Sequence, residues 1–290
     1  MVDPTGPIEL ERTRAWATIF RVPLAGGRAW FKACGPIQAF EPRLTASLAA
    51  RWPDRVARVL AHDPERAWLL TADAGDPVGA HGNDPAIWLR ALPAYAELQR
   101  GEVAHVAEHL AADVPDRRVG ALLAKYDELL RADLPLEGAE LERLRAFAGR
   151  FAHLCDDLVE ADLPASIQHD DLHLRSLFID GPTLRVLDWG DACVGHPFAT
   201  LVVTFHWLER ENGLALGDPW FERLRDAYLE PWGGGHIAGF ELAQRVGLVA
   251  EAIGWLRHRG AMPEPDRIAF DVHFADLLRR ILARVVEPGS

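Results

Sequence analysis

The sequence predicts an α+β protein in which a small β-rich lobe precedes a larger, mainly helical lobe. Three observations support this fold class. Strand-like runs joined by short links occupy the chain up to residue 71. A stretch rich in glycine, proline and aspartate follows, and we expect a hinge there, near 72–80. Beyond it, helical spacing of apolar residues dominates. We therefore predict an N-lobe of residues 1–74 and a C-lobe of residues 75–290.

The N-lobe is predicted to be an antiparallel sheet with one helix. Segments with the composition of strands are 8–14, 17–24, 28–34, 56–63 and 66–71. The links AGG at 25–27 and DPER at 63–66 are typical of hairpin turns. Between the third and fourth strands, apolar residues recur every four positions, which predicts a helix. These residues are Phe40, Leu44, Leu48 and Trp52.

The C-lobe is predicted to be helical apart from one acidic hairpin. Residues 84–111 form one long helix or two short ones, interrupted near Pro93. The segment 139–158 has its apolar residues on one face, as in a single amphipathic helix. Further helical patterns lie at 197–211, 219–229, 239–258 and 265–287.

The composition restricts the class of protein. Apolar residues make up 49% of the chain, enough for a large core, and the net charge is −12. An acidic chain is a poor match for nucleic acid or an anionic membrane as the main partner. A cationic or neutral small substrate fits this charge better. The oligomeric state is not encoded in any pattern that we identify.

The cellular location is predicted from the first residues, the lack of a long apolar segment and the cysteines. The chain starts MVDPTGPIEL, with no basic region leading into an apolar run, and no window resembles the roughly 18 apolar residues of a membrane span. Its three cysteines, Cys34, Cys155 and Cys193, have no metal-ligand spacing, so we interpret them as free thiols in a reducing compartment. We therefore expect a cytoplasmic protein.

The acidic hairpin lies at 169–192, with the sequence HDDLHLRSLFIDGPTLRVLDWGDA. Its strands SLFID and TLRVLDW are joined by the turn DGP. Asp171 lies on the loop entering the first strand and Asp188 at the end of the second, so both carboxylates are expected at one end of the hairpin. Two converging carboxylates indicate a divalent cation or a shared proton. We interpret Asp180 and Asp191 as ordinary structural residues. Asp180 lies in the turn, and Asp191 is expected to cap the helix near Pro197.

The segments HDDLHLRS and DWGDA resemble the catalytic loop and the metal-binding segment of the aminoglycoside phosphotransferase and choline kinase family, which has a bilobal protein-kinase-like fold. The family pattern is H-x-D-x-x-x-x-N followed by a strand ending in I/V-D-W/F. His169, Asp171 and Asp188 are in register with it, and Ser176 takes the asparagine position. FKAC with a following glutamate, LLTADAGDP, and ALPAYAELQR before VPDRR extend the resemblance over most of the chain.

The resemblance implies an ATP-dependent phosphotransferase that moves the γ-phosphate to a hydroxyl of a small molecule. Asp171 would accept or orient the proton of that hydroxyl, and His169 would brace the loop by orienting a backbone group of the metal segment. Asp188, with Ser176, would ligate Mg²⁺. The acceptor would be an aminoglycoside-like amine, an amino sugar or a metabolite alcohol, contacted from the helices after residue 196.

The resemblance also implies a nucleotide site in the N-lobe. Lys32 is one of only two lysines in the chain, and it would contact the ATP phosphates. Glu41 would be its ion-pair partner, although an ordinary first-turn position in the helix is a competing interpretation. Backbone groups from Ala72 to Ala74 would hold the adenine.

Two departures from the family pattern leave alternatives open. No glycine-rich phosphate loop is present, since ERTRAWATIF joins the first two strands, and Ser176 replaces a metal-binding amide. A catalytically impaired pseudokinase that acts as a binding or regulatory module is therefore the alternative function. A metallohydrolase built on His169 and His173 lacks further histidines at matching spacing. His196, before a proline, is interpreted as a structural residue at a helix entry.

Overall fold

A computed structural model describes residues 3–181 and 183–287 of the chain. Pro182, in the predicted DGP turn, lies outside the described residues. The strands are β1 Glu9–Arg14, β2 Ala17–Leu24, β3 Gly27–Cys34, β4 Val59–Asp63, β5 Trp68–Ala72, β6 Asp76–Pro77, β7 Asp116–Arg117, β8 Ser166–Gln168, β9 Leu177–Asp180, β10 Thr183–Val186 and β11 Cys193–Gly195.

The helices carry most of the chain beyond the first sheet. The α-helices are α1 Glu41–Arg51, α2 Pro85–Glu102, α3 Val106–Ala111, α4 Val119–Arg131, α5 Gly138–Ala146, α6 Ala148–Glu160, α7 Leu201–Asn212, α8 Pro219–Leu229, α9 Ile237–Gly260 and α10 Glu264–Ile281. Short 3₁₀ helices lie at Pro36–Gln38, Val78–His81, Val103–His105, Trp189–Asp191, Pro197–Thr200 and Glu230–Trp232, and a π-helical turn at Leu282–Val286. Among the described residues, none of the helices is long and apolar enough to cross a membrane.

The first part of the chain forms one antiparallel five-stranded sheet in the order β1-β2-β3-β5-β4. All five predicted strands are confirmed, the last two starting two to three residues later than predicted. The central strand β3 places Lys32 between Ile19 of β2 and Leu69 of β5. Helix α1 is also confirmed, and it buries Leu44 and Leu48 in the core. The sheet therefore holds the Lys32 side chain in a fixed position.

The rest of the chain is mainly helical, with two small three-stranded sheets in the orders β10-β9-β6 and β7-β11-β8. The fold class predicted from the sequence is therefore confirmed. The antiparallel pair β9–β10 is the predicted acidic hairpin. Strand β11 joins it to the body of the helices, because it pairs with β8 on one side and with β7 on the other. The lobe boundary at residue 74 stays a prediction, and the first sheet ends at Ala72.

Local details differ from the sequence prediction where packing overrides local preference. Helix α2 continues through Pro93, and the break comes ten residues later, at Val103. Buried Leu92 and Tyr95 on either side of Pro93 hold the helix in the core. The single helix predicted at 139–158 is divided at Phe147 into α5 and α6. Helix α4 corresponds to no predicted element.

Candidate active site

Lys32 lies at the centre of an ion-pair cluster that joins the first sheet to the acidic hairpin. Its Nζ is 2.6 Å from Glu41 Oε2 at the start of α1 and 2.6 Å from Asp188 Oδ1 after β10. Burial alone would disfavour the charged amine, but the two carboxylates outweigh it and raise the pKa of Lys32. The side chain is therefore a fixed cation in the cleft, 156 residues away in sequence from one of its partners.

Asp188 projects from a strained backbone position at the edge of the hairpin. Strand β10 ends at Val186, two residues earlier than predicted, and Asp188 has left-handed backbone angles of φ 67° and ψ 60°. Aspartate is one of the few non-glycine residues that tolerate this region. The turn directs the carboxylate toward the cleft, where the side chain is 45% exposed. Burial would raise the pKa of Asp188, but Lys32 overrides this effect and lowers it.

His169 connects the loop that carries Asp171 to the segment that carries Asp188. Its Nε2 donates to the carbonyl oxygen of Leu187 at 2.8 Å, and its Nδ1 accepts from the amide of Asp171 at 3.2 Å. This pattern requires the neutral imidazole with the proton on Nε2. Burial lowers the pKa of His169 to about 4, which keeps the ring neutral. The Tyr95 hydroxyl of α2 accepts from the His169 amide at 2.8 Å and fixes the start of the loop.

Asp171 is placed at the mouth of the loop with its carboxylate partly open to solvent. The side chain is 39% exposed, and its Oδ2 lies 3.2 Å from Nε2 of His173. Burial of the surroundings raises the pKa of Asp171, while the contact with His173 opposes that change. His173 Nδ1 in turn accepts from the Arg175 amide at 2.9 Å. His173 therefore holds Asp171 and the loop backbone together.

Ser176 is turned into the loop. Its hydroxyl donates to the carbonyl oxygen of Asp171 at 2.7 Å and accepts from the amide of His173 at 2.9 Å. The residue is only 2% exposed. The hydroxyl therefore uses its donated and its accepted hydrogen bond to hold the conformation of this loop. The Ser176 metal ligand predicted from the sequence stays a prediction, and these contacts do not favour it.

Asp170, the neighbour of Asp171, is tied to the helical interior by a residue that the sequence analysis did not identify. Arg117 on β7 is 4% exposed, and its Nη1 lies 2.5 Å from Asp170 Oδ2 and 3.1 Å from the carbonyl oxygen of Ala250 on α9. A Cβ on Gly254 would lie 2.6 Å from the Arg117 guanidinium, so a glycine is required there. Only the phrase VPDRR in the family resemblance pointed to Arg117.

The cleft between the sheet and the hairpin has a volume of about 900 Å³. Lys32, Glu41 and Asp188 all line it. In spite of the acidic chain, its lining is rich in cations. The basic side chains are Arg12, Arg14, Arg28, Lys32 and Arg175. The acidic lining residues are Glu11, Glu41, Asp76 and Asp188, so the five cations exceed the carboxylates by one. The five cations suit an anion such as a polyphosphate.

The glycine-rich loop is absent here, as the sequence indicates. Strands β1 and β2 meet in a tight turn of Ala15 and Trp16. Arg12 and Arg14 on β1 line the cleft instead. In the β1–β2 segment, arginine side chains therefore face the cleft in place of a glycine-rich loop.

The segment predicted to hold adenine lies at the edge of this cleft. Thr71, Gly75 and Asp76 line the cleft, whereas Ala72 and Ala74 are not among its lining residues. The Ala72 amide already donates to the carbonyl oxygen of Arg58 at 2.9 Å, and Ala74 is buried. The amide of Ala72 is therefore not available to a ligand. The predicted adenine contact through this amide stays a prediction that the structure does not favour.

Asp191 does not cap the helix near Pro197, contrary to the sequence interpretation. Its Oδ1 lies 2.6 Å from His258 Nε2 on α9 and accepts from Gln38 Nε2 at 3.2 Å. The cap near Pro197 is His196, whose Nδ1 accepts from the Phe198 amide at 3.3 Å. This agrees with the interpretation of His196 as a helix-entry residue.

His258 closes a contact between α9 and the first sheet. Its Nδ1 lies 3.1 Å from the carbonyl oxygen of Gly254, so with Asp191 on Nε2 both nitrogens carry protons. Burial opposes this charge, but Asp191 outweighs it and raises the pKa of His258. The ring also meets Trp16 edge-on, with centroids 5.9 Å apart. These contacts between distant elements leave no sequence signal.

Aromatic and acidic residues on the helices after residue 196, from which contacts with the acceptor are expected, have structural partners. Trp207 packs edge-on against His173 at a centroid distance of 4.8 Å, and Trp255 packs against Phe270 at 4.9 Å. Glu209 forms an ion pair with Arg284 at 2.8 Å. Among residues 3–181 and 183–287, no three histidine, cysteine or acidic side chains are grouped to hold a metal. His169 and His173 contact the loop backbone, the Leu187 carbonyl oxygen and the Asp171 carboxylate.

Comparison with known proteins identifies relatives of this arrangement. The model of the Phosphotransferase enzyme family (APH) matches residues 38–242, about 70% of the chain, including both acidic segments of the site. No curated protein sequence is significantly similar to the chain.

Solved structures share the fold at low sequence identity. A choline/ethanolamine kinase family protein from Mesorhizobium loti is 18% identical with a TM-score of 0.60, covering 97% of this chain and 90% of its own. The GDP complex of aminoglycoside 2′-phosphotransferase-IIIa is 15% identical with a TM-score of 0.63, covering 94% and 92%. A choline kinase from Streptococcus pneumoniae is 11% identical with a TM-score of 0.61, covering 95% and 94%.

Proposed function

This chain belongs to the Phosphotransferase enzyme family, and we propose that it is an ATP-dependent kinase that transfers the γ-phosphate to a hydroxyl of a small molecule. The observation that carries the proposal is the double hydrogen bond of His169, which fixes Asp171 and the residue before Asp188 with one ring. Phosphoryl transfer depends on such positioning of an acceptor base beside a bound polyphosphate.

Asp171 is the residue proposed to orient the acceptor hydroxyl and accept its proton. Its carboxylate is open to solvent at the loop mouth, while its amide and carbonyl are held by His169 and Ser176. A base is most effective when its pKa approaches the working pH, and the surroundings of Asp171 move its pKa in that direction. His173 holds the carboxylate orientation.

The cations of the cleft are proposed to bind the phosphates of ATP. Lys32 is a compact charge fixed by two carboxylates. Arg12, Arg14 and Arg175 add guanidinium groups that match phosphate oxygens in pairs. In this proposal, arginine side chains replace the backbone amides of a glycine-rich loop.

Asp188 is the residue that would hold Mg²⁺, because a single exposed carboxylate beside bound phosphates fits the usual protein share of magnesium ligands. The ion, when bound, neutralises charge on the phosphates. The Asp188 carboxylate is paired with Lys32, so both groups are kept charged in the cleft.

The proposal is tested by calorimetric titration of the purified protein with ATP, with and without Mg²⁺. We expect Mg²⁺-dependent binding that is lost in Asp188→Ala and kept in Asp54→Ala, since Asp54 is an exposed aspartate outside the cleft. Phosphate transfer is then measured with panels of aminoglycosides, amino sugars and metabolite alcohols. ATP binding that is independent of both Mg²⁺ and Asp188 would refute the proposed metal site.

A pseudokinase is the second candidate, and the contacts of Ser176 are the observation that favours it. With its hydroxyl used inside the loop, the site has one fewer metal ligand than the family pattern supplies. Such a protein would bind ATP weakly and transfer phosphate to no acceptor. The variant Ser176→Asn separates the two functions: a kinase keeps or gains turnover, whereas turnover that appears only in the variant supports the pseudokinase.

The location and the acceptor complete the proposal. We propose a cytoplasmic enzyme, where ATP is available and where the free thiols of Cys34, Cys155 and Cys193 stay reduced. The proposed acceptor is a small hydroxyl compound, and the proposal excludes nucleic acid and membrane surfaces as main partners.

A further inference from the structure

A second cavity lies in the helical part of the molecule, among α7, α8, α9 and α10. Its volume is about 430 Å³, within the range of small-ligand sites. One wall is apolar and includes Phe205, Phe221 and Leu248. The lining also includes the basic residues His206, Arg245, Arg280 and Arg284. The cavity is separate from the cleft, because the two share no lining residue.

Two donor nitrogens of these basic residues are buried without a protein acceptor. They are Arg245 Nε and Arg280 Nε, and neither forms a hydrogen bond with any part of the chain that the structure describes. His206 Nδ1 also has no partner, but a neutral imidazole has one donor and one acceptor nitrogen, so it is not counted as a donor. A buried donor without a partner costs about 1–3 kcal/mol, and such groups are rare in native proteins. Two guanidinium donors at one cavity indicate a site that is built to receive an acceptor.

The charges around the cavity leave an excess of positive charge. Three arginines, Arg245, Arg280 and Arg284, line the cavity with two carboxylates, Glu209 and Glu241. Glu209 pairs with Arg284 through two hydrogen bonds of 2.8 and 3.1 Å, while Glu241 is 67% exposed and lies 3.9 Å from Arg225 outside the cavity. Arg245 and Arg280 form no direct ion pair with a carboxylate among residues 3–181 and 183–287.

Two titratable neighbours, Glu251 and His206, also affect the net charge of the cavity. Glu251 acts on Arg280 from α9, but burial raises the pKa of Glu251 to about 7, so its charge is incomplete near neutral pH. Burial, together with nearby arginines, lowers the pKa of His206 to about 4 and keeps its ring neutral.

We propose that this cavity binds a small organic anion, whose carboxylate or phosphate group is held by Arg245 and Arg280 and whose apolar body packs on the aromatic wall. A charged acceptor pairs with the buried donors and offsets the charge of the two arginines. The volume admits one aromatic or short aliphatic body. A cation of the same shape is repelled by the arginines and leaves the donors unpaired.

The site touches the catalytic loop through helix α7. The face of α7 that includes Phe205 and His206 lines the cavity, while Thr204 Oγ1 donates to the carbonyl oxygen of Leu172 at 2.7 Å. The next turn places Trp207 against His173. A ligand in the cavity therefore stabilises the helix that supports the loop, whether or not the loop transfers phosphate.

Calorimetric titration of the nucleotide-free protein with benzoate and with phenyl phosphate tests the proposal. Benzyl alcohol and benzylamine are the matched neutral and cationic probes. We expect one molecule of at least one anion to bind, while the neutral and cationic probes bind at least tenfold more weakly.

Variants locate the binding. Arg245→Met and Arg280→Met each remove one cavity cation and keep an apolar side chain of similar length, and each should weaken anion binding at least tenfold. Arg267→Met is the control, because Arg267 is exposed on α10 and does not line the cavity. Lys32→Met removes one of the five cations of the cleft, and it should leave anion binding in the helical cavity unchanged.

Several results would overturn the proposal. These are the absence of binding by both anions, binding of benzyl alcohol as tight as that of benzoate, and unchanged binding in both cavity variants. Loss of binding in Lys32→Met would place the anion in the nucleotide cleft instead. Circular dichroism shows whether Arg245→Met and Arg280→Met are folded. If one of them has a fold defect, the other remains as the test.

Discussion

Two aspartates of the acidic segments have similar backbones and opposite surroundings. Asp170 and Asp188 both adopt left-handed conformations, with φ angles of 62° and 67°, and each pairs with a buried cation. Asp170 meets Arg117 inside the helical body, where the two side chains are 15% and 4% exposed. Asp188 meets Lys32 at the cleft, and its carboxylate is 45% exposed.

The difference indicates which ion pair is structural and which is exchangeable. Arg117 is the ion-pair partner of Asp170, so its removal leaves that buried carboxylate without its cation. Lys32 keeps Glu41 if Asp188 turns to another ligand. We call the buried Asp170–Arg117 pair the closed pair, because it fixes the loop. The Asp188–Lys32 pair is the open pair, because the exposed Asp188 carboxylate can turn to a metal. Four experiments, ordered by expected effect, break or sharpen this comparison.

Replacing the open carboxylate should remove activity without affecting the fold. For Asp188→Asn we expect kcat to fall about 10³-fold, because Mg²⁺ loses its carboxylate while asparagine tolerates the left-handed backbone. The free energy of unfolding should change by less than about 1 kcal/mol, since the exposed carboxylate contributes little to stability. Coupled turnover assays and urea titration measure the two quantities. A stability loss as large as the activity loss would show that this pair is structural.

Breaking the closed pair should have the opposite result. Arg117→Met is expected to lower the free energy of unfolding by about 3–5 kcal/mol, because Asp170 is left charged and buried. The double variant Arg117→Met/Asp170→Asn should recover part of that loss, since asparagine removes the charge. Urea denaturation measures both variants. Arg117→Met with unchanged stability would contradict the structural assignment.

Weakening the cationic lining tests how the cleft holds phosphates. Arg175→Gln should raise the Kd for Mg²⁺-ATP about tenfold, and added salt should weaken the wild type more than the variant. Arg210→Gln is the comparison, because Arg210 also packs near the Trp207 ring but does not line the cleft. Equal loss in both variants would assign the effect to Trp207 packing.

The contact between His258 and Asp191 predicts a smaller, pH-dependent effect. Because the folded state raises the pKa of His258, the stabilisation is present below the pKa of the unfolded chain and is lost as pH rises through the folded pKa. Arg257 beside it opposes the charge, so the effect should stay at about 1–2 kcal/mol. Urea titrations between about pH 6 and pH 9 should show this loss in the wild type and not in His258→Gln. A similar slope in both proteins would remove His258 from this account.

The sequence predicts the parts of the site that are set by local spacing. Asp171, Asp188 and His169 belong to two short motifs on one hairpin, and the rarity of lysine marked Lys32. The five strands followed from turn residues and composition. Apart from Lys32, whose partner Asp188 is 156 residues away, these features depend on residues close together in the chain, which a single sequence records.

The remainder of the site depends on elements far apart in the chain. Tyr95, Arg117 and His258 reach the acidic segments from α2, β7 and α9. The family-like segments ALPAYAELQR and VPDRR contain Tyr95 and Arg117 but do not reveal these contacts, and the neighbours of His258 give no sign of its contact. The direction of Ser176 is set by hydrogen bonds within its loop, so its position in a motif does not reveal its role. Helix α2 passes through Pro93 because buried neighbours hold it, which local propensity does not include.

Helix α9 is a single rod of 24 residues, about 36 Å long, that passes three different sites. Its first half carries Arg245 into the helical cavity, its middle receives Arg117 at Ala250, and its last turn holds His258 against Asp191. Because one helix carries all three contacts, a shift of α9 along its axis would move them together. A displacement of the helix that starts at the cavity would therefore also reach the loop and the first sheet.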